Sequence, residues 1–562
     1  MKIDKILVSI LQRRFKSIAE EMSIALAMTT RSPILCEAQD FVTGLYDAKG
    51  KMLEQKENLP ILSFSLGPVC EYIIKYYGDN IHPGDVIFHN DVFSMGNQNN
   101  DVAVYKPIFY NNGGGDRPRI VGWAACKGHQ ADIGGAVRGG YNPQATEIWQ
   151  EALRIPPIKV YEKGELRKDV WNLIFSNIRL KMVEEDMRAQ IGSCVVGERG
   201  ILSLVEKYGL DAFEAHKEYL FDATEKMMRS EIRTIPSGVY KGEATGYYDG
   251  KTPGSKYTIR VRITVKGDDI TFDFSGTDPQ TPGFVNGTYT STASATMLTF
   301  LQMVNPDIQH NDGMVRPVKM IIPQGTILNA AYPAATTYGN HICPITASAI
   351  MRALSPIIPD RVTAEWNSLL CSLTTGIDER KSEPYVDICF MGLKGGSGAI
   401  KGVDGYDHIG MIDASGGVID QDYEMFEQQT PHMILQHEYW TDSAGPGQWR
   451  GGLGVVTKFK LGGKGNTLVT FGEGDVEPAL GAHGGKSGTL NKIELTYPNG
   501  RKHKPTTKDL IKDVPAGTIY YQEAGGGGGL GDPRKRDRKT VERDLRNGKI
   551  SRKSARRDYG LK

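Results

Sequence analysis

Gln98, Asp101, His129 and Asp132 fall within one stretch, 89–135, in which two strand-like runs (102–110 and 120–125) join loops dense in Asn, Asp, Gln and His. Imidazole and carboxylate on neighbouring loops can do two kinds of chemistry. They can hold a divalent metal such as Zn or Mn, for which they are the usual borderline-hard ligands. They can also bind a polar substrate and move its protons. The spacing Gln98-x-x-Asp101, followed by His129, permits a metal if the two strands lie side by side. A carboxamide is a poor first ligand, however, and Asn97, Gln98, Asn99 and Asn100 serve equally well as hydrogen-bonding partners of a substrate or of one another. Asp40 stands just before the run FVTGLYDAKGKMLEQ (41–55). It reads either as a turn or helix cap or as a carboxylate base at a strand end.

Side chains at strand ends converge only if a rigid frame holds them, and the surrounding pattern supplies one. Ile6, Leu7, Ile10, Leu11, Phe15, Ile18, Met22 and Leu26 recur at helical spacing, predicting one long amphipathic helix that Ser32-Pro33 ends. Residues 41–55 predict two short strands around a turn at 47–50, and 65–78 a helix. In TEIWQEALRIPPIKVYEKGEL (146–166), Glu147 and Glu151 are expected one helical turn apart on one face, with Pro156-Pro157 closing the helix. Residues 170–232 read as mostly helical with solvated charged faces. YTIRVRITVKGDDITFDFSGT (257–277) is a β-hairpin with one buried face, turning at 266–269. Segment 290–355 reads as helical at both ends and broken in the middle. His341 and Cys343 there read as a core cysteine before a Pro344 helix start rather than as a nucleophile pair.

At 562 residues the chain exceeds one hydrophobic core. The expected class is α/β (mixed α+β) and multidomain, with a long N-terminal helix, a sheet-based core and a β-rich middle domain. The expected divisions are 1–235, carrying the site; 236–440, β-rich and helical; 441–533, Gly-rich β; and 534–562, a basic helical tail. Sixty-six glycines exceed the usual share of about 7%, with clusters at 395–398, 451–454, 484–485 and 525–529. The cluster at 484–485 runs into Lys486-Ser487, but position 480 is Leu where a phosphate-binding loop has its first Gly, so no cluster completes that motif, and 530–533 reads as a turn.

A net charge of +1 gives no pull toward nucleic acid. The basic tail lacks the aromatic residues of a nucleic-acid reader and is expected as a surface helical hairpin, its last helix capped by Ser551. Seven dispersed cysteines without a CxxC pair suit reduced, buried thiols. No apolar stretch approaches the roughly 18 residues that span a bilayer, and the charged N-terminal helix is no signal peptide. A cytoplasmic protein without membrane or nucleic-acid partners is expected.

NDVFSMGNQNNDV, KGHQADIGG, the 146–166 stretch, RAQIG (188–192), WRGGLGV (449–455) and GGGGGLGDP occur in order between about residues 32 and 559. Together they resemble the hydantoinase B / 5-oxoprolinase family, the B-type subunits of ATP-dependent hydantoinases and lactamases and of acetone and acetophenone carboxylases. The resemblance implies a hetero-oligomer with two copies of each chain. In it, a hydantoinase A-type partner binds ATP and Mg and phosphorylates a carbonyl oxygen of the small-molecule substrate, a cyclic amide or a ketone. Where the family reads His-Leu-Pro-Asp, this chain reads Gln98-Asn99-Asn100-Asp101. The family's metal set therefore becomes Gln98, Asp101 and His129, with the metal expected to be weakened or absent. Asp40 matches an Asp in the family's Arg-Asp-Phe-Ser-like segment, so Asp40, His129 and Asp132 are the catalytic candidates. Three functions follow: opening of an activated cyclic amide, carboxylation of a ketone, and assembly without chemistry. The missing first His leans toward carboxylation, because water activation is what a metal does best. The chain's shortness beside acetone-type subunits leans toward hydrolysis.

Overall fold

In this computed structural model, residues 3–111, 118–414, 416 and 418–561 are described. Helix α1 (Lys5–Thr29) starts at Asp4, whose side chain accepts the Ile6 N–H, and buries Leu11, Phe15, Ile18, Met22 and Leu26 along one stripe. It ends where Thr30 turns extended, just before Pro33. Strands β1 (Phe41–Asp47), β2 (Met52–Glu57), β3 (Val86–His89), β4 (Asp101–Tyr110), β5 (Arg119–His129), β6 (Ile158–Glu162) and β7 (Glu165–Leu166) form one antiparallel sheet in the order β2-β1-β5-β4-β3-β6-β7. Helix α2 (Leu66–Tyr77) lies between β2 and β3 in the chain. The connection between β4 and β5, with its glycines at 113–115, lies largely outside the described residues.

Helices α3 (Met182–Tyr208) and α4 (Leu210–Ile232) pack with α1 as a layer over this sheet. Gly197 and Gly200 on α3 permit the approach. A methyl at Gly197 would sit 2.6 Å from Met22 Sδ, and one at Gly200 2.7 Å from the Ile18 side chain. The second sheet holds β8 (Gly238–Tyr247), β9 (Lys256–Lys266), β10 (Asp269–Asp273) and, after helix α5 (Tyr289–Leu301), the parallel partner β11 (Val318–Ile321). Helix α6 (Cys343–Leu354) covers β8 and β9, with Pro344 in its first turn.

Two further sheets interleave. Strands β12 (Leu370–Asp378), β13 (Glu383–Ile388), β16 (Lys464–Gly472) and β19 (Lys508–Val514) make one; β14 (Met433–Tyr439), β15 (Val455–Lys460), β17 (Lys492–Thr496), β18 (Lys502–His503) and β20 (Ile519–Ala524) make the other. The first draws strands from both sides of residue 441, so the division expected there is not a break in the hydrogen bonding. The main apolar core likewise runs from Val8 to Leu510, across the division expected at 235. Helices α7 (Arg538–Arg546) and α8 (Arg552–Arg557) form the C-terminal hairpin around a small cluster of Val541, Ile550, Ala555 and Tyr559. Ser551 caps α8, accepting the Ser554 N–H.

One expected helix is a single turn. Only Ile148–Gln150 is helical, as a 3-10 turn with Glu147 at its cap. The chain stops there because Glu151 turns inward and accepts the Thr336 and Thr337 N–H groups at 2.8 and 2.9 Å. The run 525–529, which precedes the turn, is itself extended and buried, bound to the other glycine clusters. Gly527 N–H donates to Gly452 O, and Gly452 N–H to Ser397 O.

Candidate functional site

Antiparallel pairing brings the polar residues of the first sheet together. β5 runs against both neighbours, so its C-terminal end meets the N-terminal ends of β1 and β4. Asp101 and His129 are direct cross-strand partners, and the His129 N–H donates to Asp40 O at 3.0 Å. His129 Nδ1 lies 2.8 Å from Asp101 Oδ1. Asp101 Oδ2 accepts from Asn97 Nδ2 and, at 2.8 Å, from Asn340 Nδ2. Asn340 Nδ2 also donates to Gln98 Oε1 at 2.8 Å, and Gln98 Nε2 donates to the Tyr141 hydroxyl at 3.0 Å. That hydroxyl in turn lies 3.1 Å from His341 Nε2.

These groups face a narrow, largely buried cavity of about 40 Å³. Its polar lining is Asp40, Gln98, Asp101, His129, Asn340 and Asp413, with Leu59, Ile61, Phe390, Leu393, Met411 and Val418 among its apolar walls. A larger open groove of about 590 Å³ lies over the second sheet. Four of its charged side chains are ion-paired, Arg260 with Glu243 and Arg262 with Asp273, whereas the smaller cavity gathers the candidate acids and bases.

Two carboxyls there have an oxygen without a hydrogen-bond partner, Asp40 Oδ1 and Asp413 Oδ1. Burial pushes Asp40 up to about 7, against the opposing charge of His129 and with the like charge of Asp101 adding to it. Burial also pushes Asp413 up to about 7, its own N–H and that of Ala414 opposing and Asp40 adding. Burial pulls His129 downward, but the hydrogen bond to Asp101 and the charges of Asp40 and Asp101 outweigh it, and its pKa is raised. Burial holds His341 neutral, down to about 3. Lys127, two residues before His129 and fully inside, donates to Asn97 Oδ1 at 2.7 Å and to Ser65 Oγ; burial lowers it to about 7. The arrangement is thus a buried cluster in which burial moves two acids, Asp40 and Asp413, and one base, Lys127, toward neutrality.

Asp40, Gln98, Asp101 and His129 converge as the sequence suggests, whereas Asp132 does not line the cavity. Its carboxylate is bound by the Arg179 backbone N–H at 2.9 Å, Arg179 Nη1 at 3.0 Å and the Gly139 N–H at 3.2 Å. It braces the turn whose Gly139 carbonyl accepts from Asn100 Nδ2 at 2.8 Å. Lys127, Tyr141, Asn340, His341 and Asp413 were not singled out as site residues. Lys127 left a trace as a lone charge in the apolar run before His129, and His341 was weighed only with Cys343 and set aside as part of the core. The fit to a divalent ion is poor. Gln98 supplies a carboxamide in place of imidazole, and both its amide atoms already hold protein hydrogen bonds. Cys371 borders the cavity, but burial holds its thiol well above its usual range, which rules out a thiolate there.

Over its whole length the chain is 34% identical to the beta chain of the caprolactamase of Pseudomonas jessenii, covering 96% of that protein. It is 29% identical to the B chain of a putative D-/L-hydantoinase of Pseudomonas sp. (strain NS671), covering 95% of it. The crystal structure of the ATP-dependent caprolactamase from Pseudomonas jessenii superposes with a TM-score of 0.92 at 32% identity, covering all of this chain and 97% of that one. A nucleotide-free acetone carboxylase shares the fold, with a TM-score of 0.90 at 19% identity and coverage of 100% and 80%. Residues 4–533 match the hydantoinase B/oxoprolinase family, and the chain belongs to it.

Proposed function

We propose that this chain is the B-type component of an ATP-dependent complex that opens a cyclic amide, its A-type partner using ATP and Mg to phosphorylate the amide oxygen. The reading is carried by Asp40, whose unpartnered Oδ1 faces the buried cavity beside the Asp101–His129 pair. Phosphorylation turns the amide carbon into an imidate carrying a good leaving group. Water adds to that carbon, and one of its protons passes through Asp40 to the ring nitrogen. The carbon–nitrogen bond then breaks, and the second water proton follows the same route to nitrogen. The acyl phosphate left behind is cleaved by another water to carboxylate and phosphate. A relay that takes up and gives back a proton twice near pH 7 needs a pKa close to that value, and burial gives Asp40 one. The hydrogen bond to Asp101 and the charges of Asp40 and Asp101 raise the pKa of His129, favouring the imidazolium that would steady the phosphoryl oxygens. Exclusion of solvent protects the activated intermediate.

A second reading, ketone carboxylation, is favoured by Gln98. An amide–tyrosine–histidine network holds a substrate oxygen without activating water.

The two are separated by supplying the co-expressed complex with ATP and either cyclic amides or ketones plus labelled bicarbonate. Amide-dependent ADP release with ring opening is the expected result. Fixed label establishes the carboxylase, and neither activity reduces the chain to an assembly role. Asp40→Asn in the complex should cost about 10²–10⁴-fold in ring opening; an unchanged rate would remove Asp40 from the mechanism.

A further inference from the structure

Outside the cavity, His408, Asp420 and His437 bring one donor atom each to within 4.8 Å of one another. They come from separate parts of the chain. His437 is on β14, the edge strand of the five-stranded sheet. His408 and Asp420 lie in the long connection before the helix Tyr423–Gln429. The two imidazoles stand nearly perpendicular, with ring centroids 5.3 Å apart. Each is already oriented by the protein through one ring nitrogen: His408 Nε2 lies 2.6 Å from Asp420 Oδ2, and His437 Nδ1 lies 3.1 Å from Thr457 Oγ1. His408 Nδ1 is buried and has no hydrogen-bond partner. Lys394 Nζ, 2.8 Å from Asp420 Oδ1, fixes the carboxylate from its far side.

We propose that His408, Asp420 and His437 bind a divalent ion of borderline softness, Zn²⁺ by preference. Two imidazoles and one carboxylate are a donor set for such an ion, and outer partners that fix ring and carboxylate orientation are what metal ligands ordinarily carry. All three groups are half-buried, which leaves room for a water or an incoming ligand to complete a tetrahedron. The site has a structural consequence. His408 stands five residues before Asp413, and Met411 and Asp413 both line the cavity. An ion shared with His437 fastens that stretch to the edge of the five-stranded sheet and so fixes the cavity wall.

The competing account is an ion-pair cluster of His408, Asp420 and Lys394 with no metal. Titrating the full-length, chelator-stripped chain with Zn²⁺ by calorimetry, and with Co²⁺ followed by its visible spectrum, decides between them. The expected result is one ion per chain with a tetrahedral Co²⁺ spectrum. Affinity should fall at least about tenfold in each of His408→Ala and His437→Ala and be unchanged in Asp101→Asn. Because His408 packs inside, His437→Ala on the edge strand serves as the variant whose folding is least at risk. No binding overturns the proposal. So does binding lost in Asp101→Asn but kept in His437→Ala, which would place the ion in the cavity instead.

Discussion

Gln98 and Asp413 set the chemistry of the cavity from opposite sides. Gln98 bridges Asn340 and Tyr141 with both amide atoms, so neither is free to take an ion. Gln98→His should restore an imidazole donor facing Asp101 and His129. The expected outcome is uptake of one additional ion by the stripped variant, abolished by adding Asp101→Asn. Additional uptake that survives Asp101→Asn would mean that the donors do not converge even with histidine. Asp413 makes a second, independent prediction. Its carboxyl is raised to about 7 by burial, so the folded state holds this proton more tightly than the unfolded chain does. The stability it contributes is complete below about pH 4 and is lost as pH rises through about 7. The difference in denaturant midpoint between wild type and Asp413→Asn should therefore shift in favour of the variant from about pH 5 to about pH 8; a constant difference would show that Asp413 is ionised throughout. Asp101 and His129 were legible as a pair because strand ends bearing polar residues announce themselves. Asp413 was not, since a lone acid in an irregular connection resembles any solvated loop charge until tertiary packing buries it. Asp132 misled for the opposite reason, as its type and place suit a site but Arg179, 47 residues on, claims it.

Periodicity carried the elements and failed where a long-range contact overrode it. α1, the β1–β2 and β9–β10 hairpins and the C-terminal helices follow from spacing and caps alone. The segment at 146–151 has helical spacing, yet the demand of two distant N–H groups for the Glu151 carboxylate limits it to one turn. The glycine clusters hide their arrangement for a related reason. Composition shows that close approaches are needed, but only the folded chain shows that 396–398, 451–454 and 525–529 approach one another. A methyl at Gly396 would sit 1.9 Å from Gly452 O, and one at Gly451 2.0 Å from Gly527 O, contacts with backbone that no rotamer change relieves. Gly396→Ala should thus destabilise by about 1–3 kcal/mol or more. Gly192→Ala in α3, where nothing lies within 4 Å, should be neutral or stabilising by up to about 1 kcal/mol. Equal effects of the two in chemical denaturation would refute the interlocked arrangement.

Across the whole molecule, closure around the cavity depends on segments far apart in sequence. The cavity's 40 Å³ or so accommodates a few waters, and its apolar walls include Phe390, Leu393 and Met411. Among the described residues no helix is long and apolar enough to cross a membrane. What ties the glycine-rich region to the C-terminal hairpin is a buried charge network rather than apolar surface. Asp404 accepts from Arg536 Nη1 and Nη2 at 2.7 and 2.6 Å and from the Arg450 N–H at 2.8 Å. Asp544 on α7 accepts from Arg536 Nη2 at 2.7 Å, and Asp407 lies 3.2 Å from Arg450 Nη1. Both guanidinium groups are almost fully buried, so removing one carboxylate leaves a cation short of its partner in a low dielectric. Breaking such a network costs more than an exposed ion pair is worth. Asp404→Ala should lower the unfolding free energy by about 3–5 kcal/mol, with little recovery in low salt because buried pairs are screened weakly. The charge-conserving exchange Arg538→Lys, at the exposed pair with Glu542, should stay within about 1 kcal/mol. If Asp404→Ala also fell within that range, the hairpin would be held by its apolar cluster of Val541, Ile550, Ala555 and Tyr559 alone.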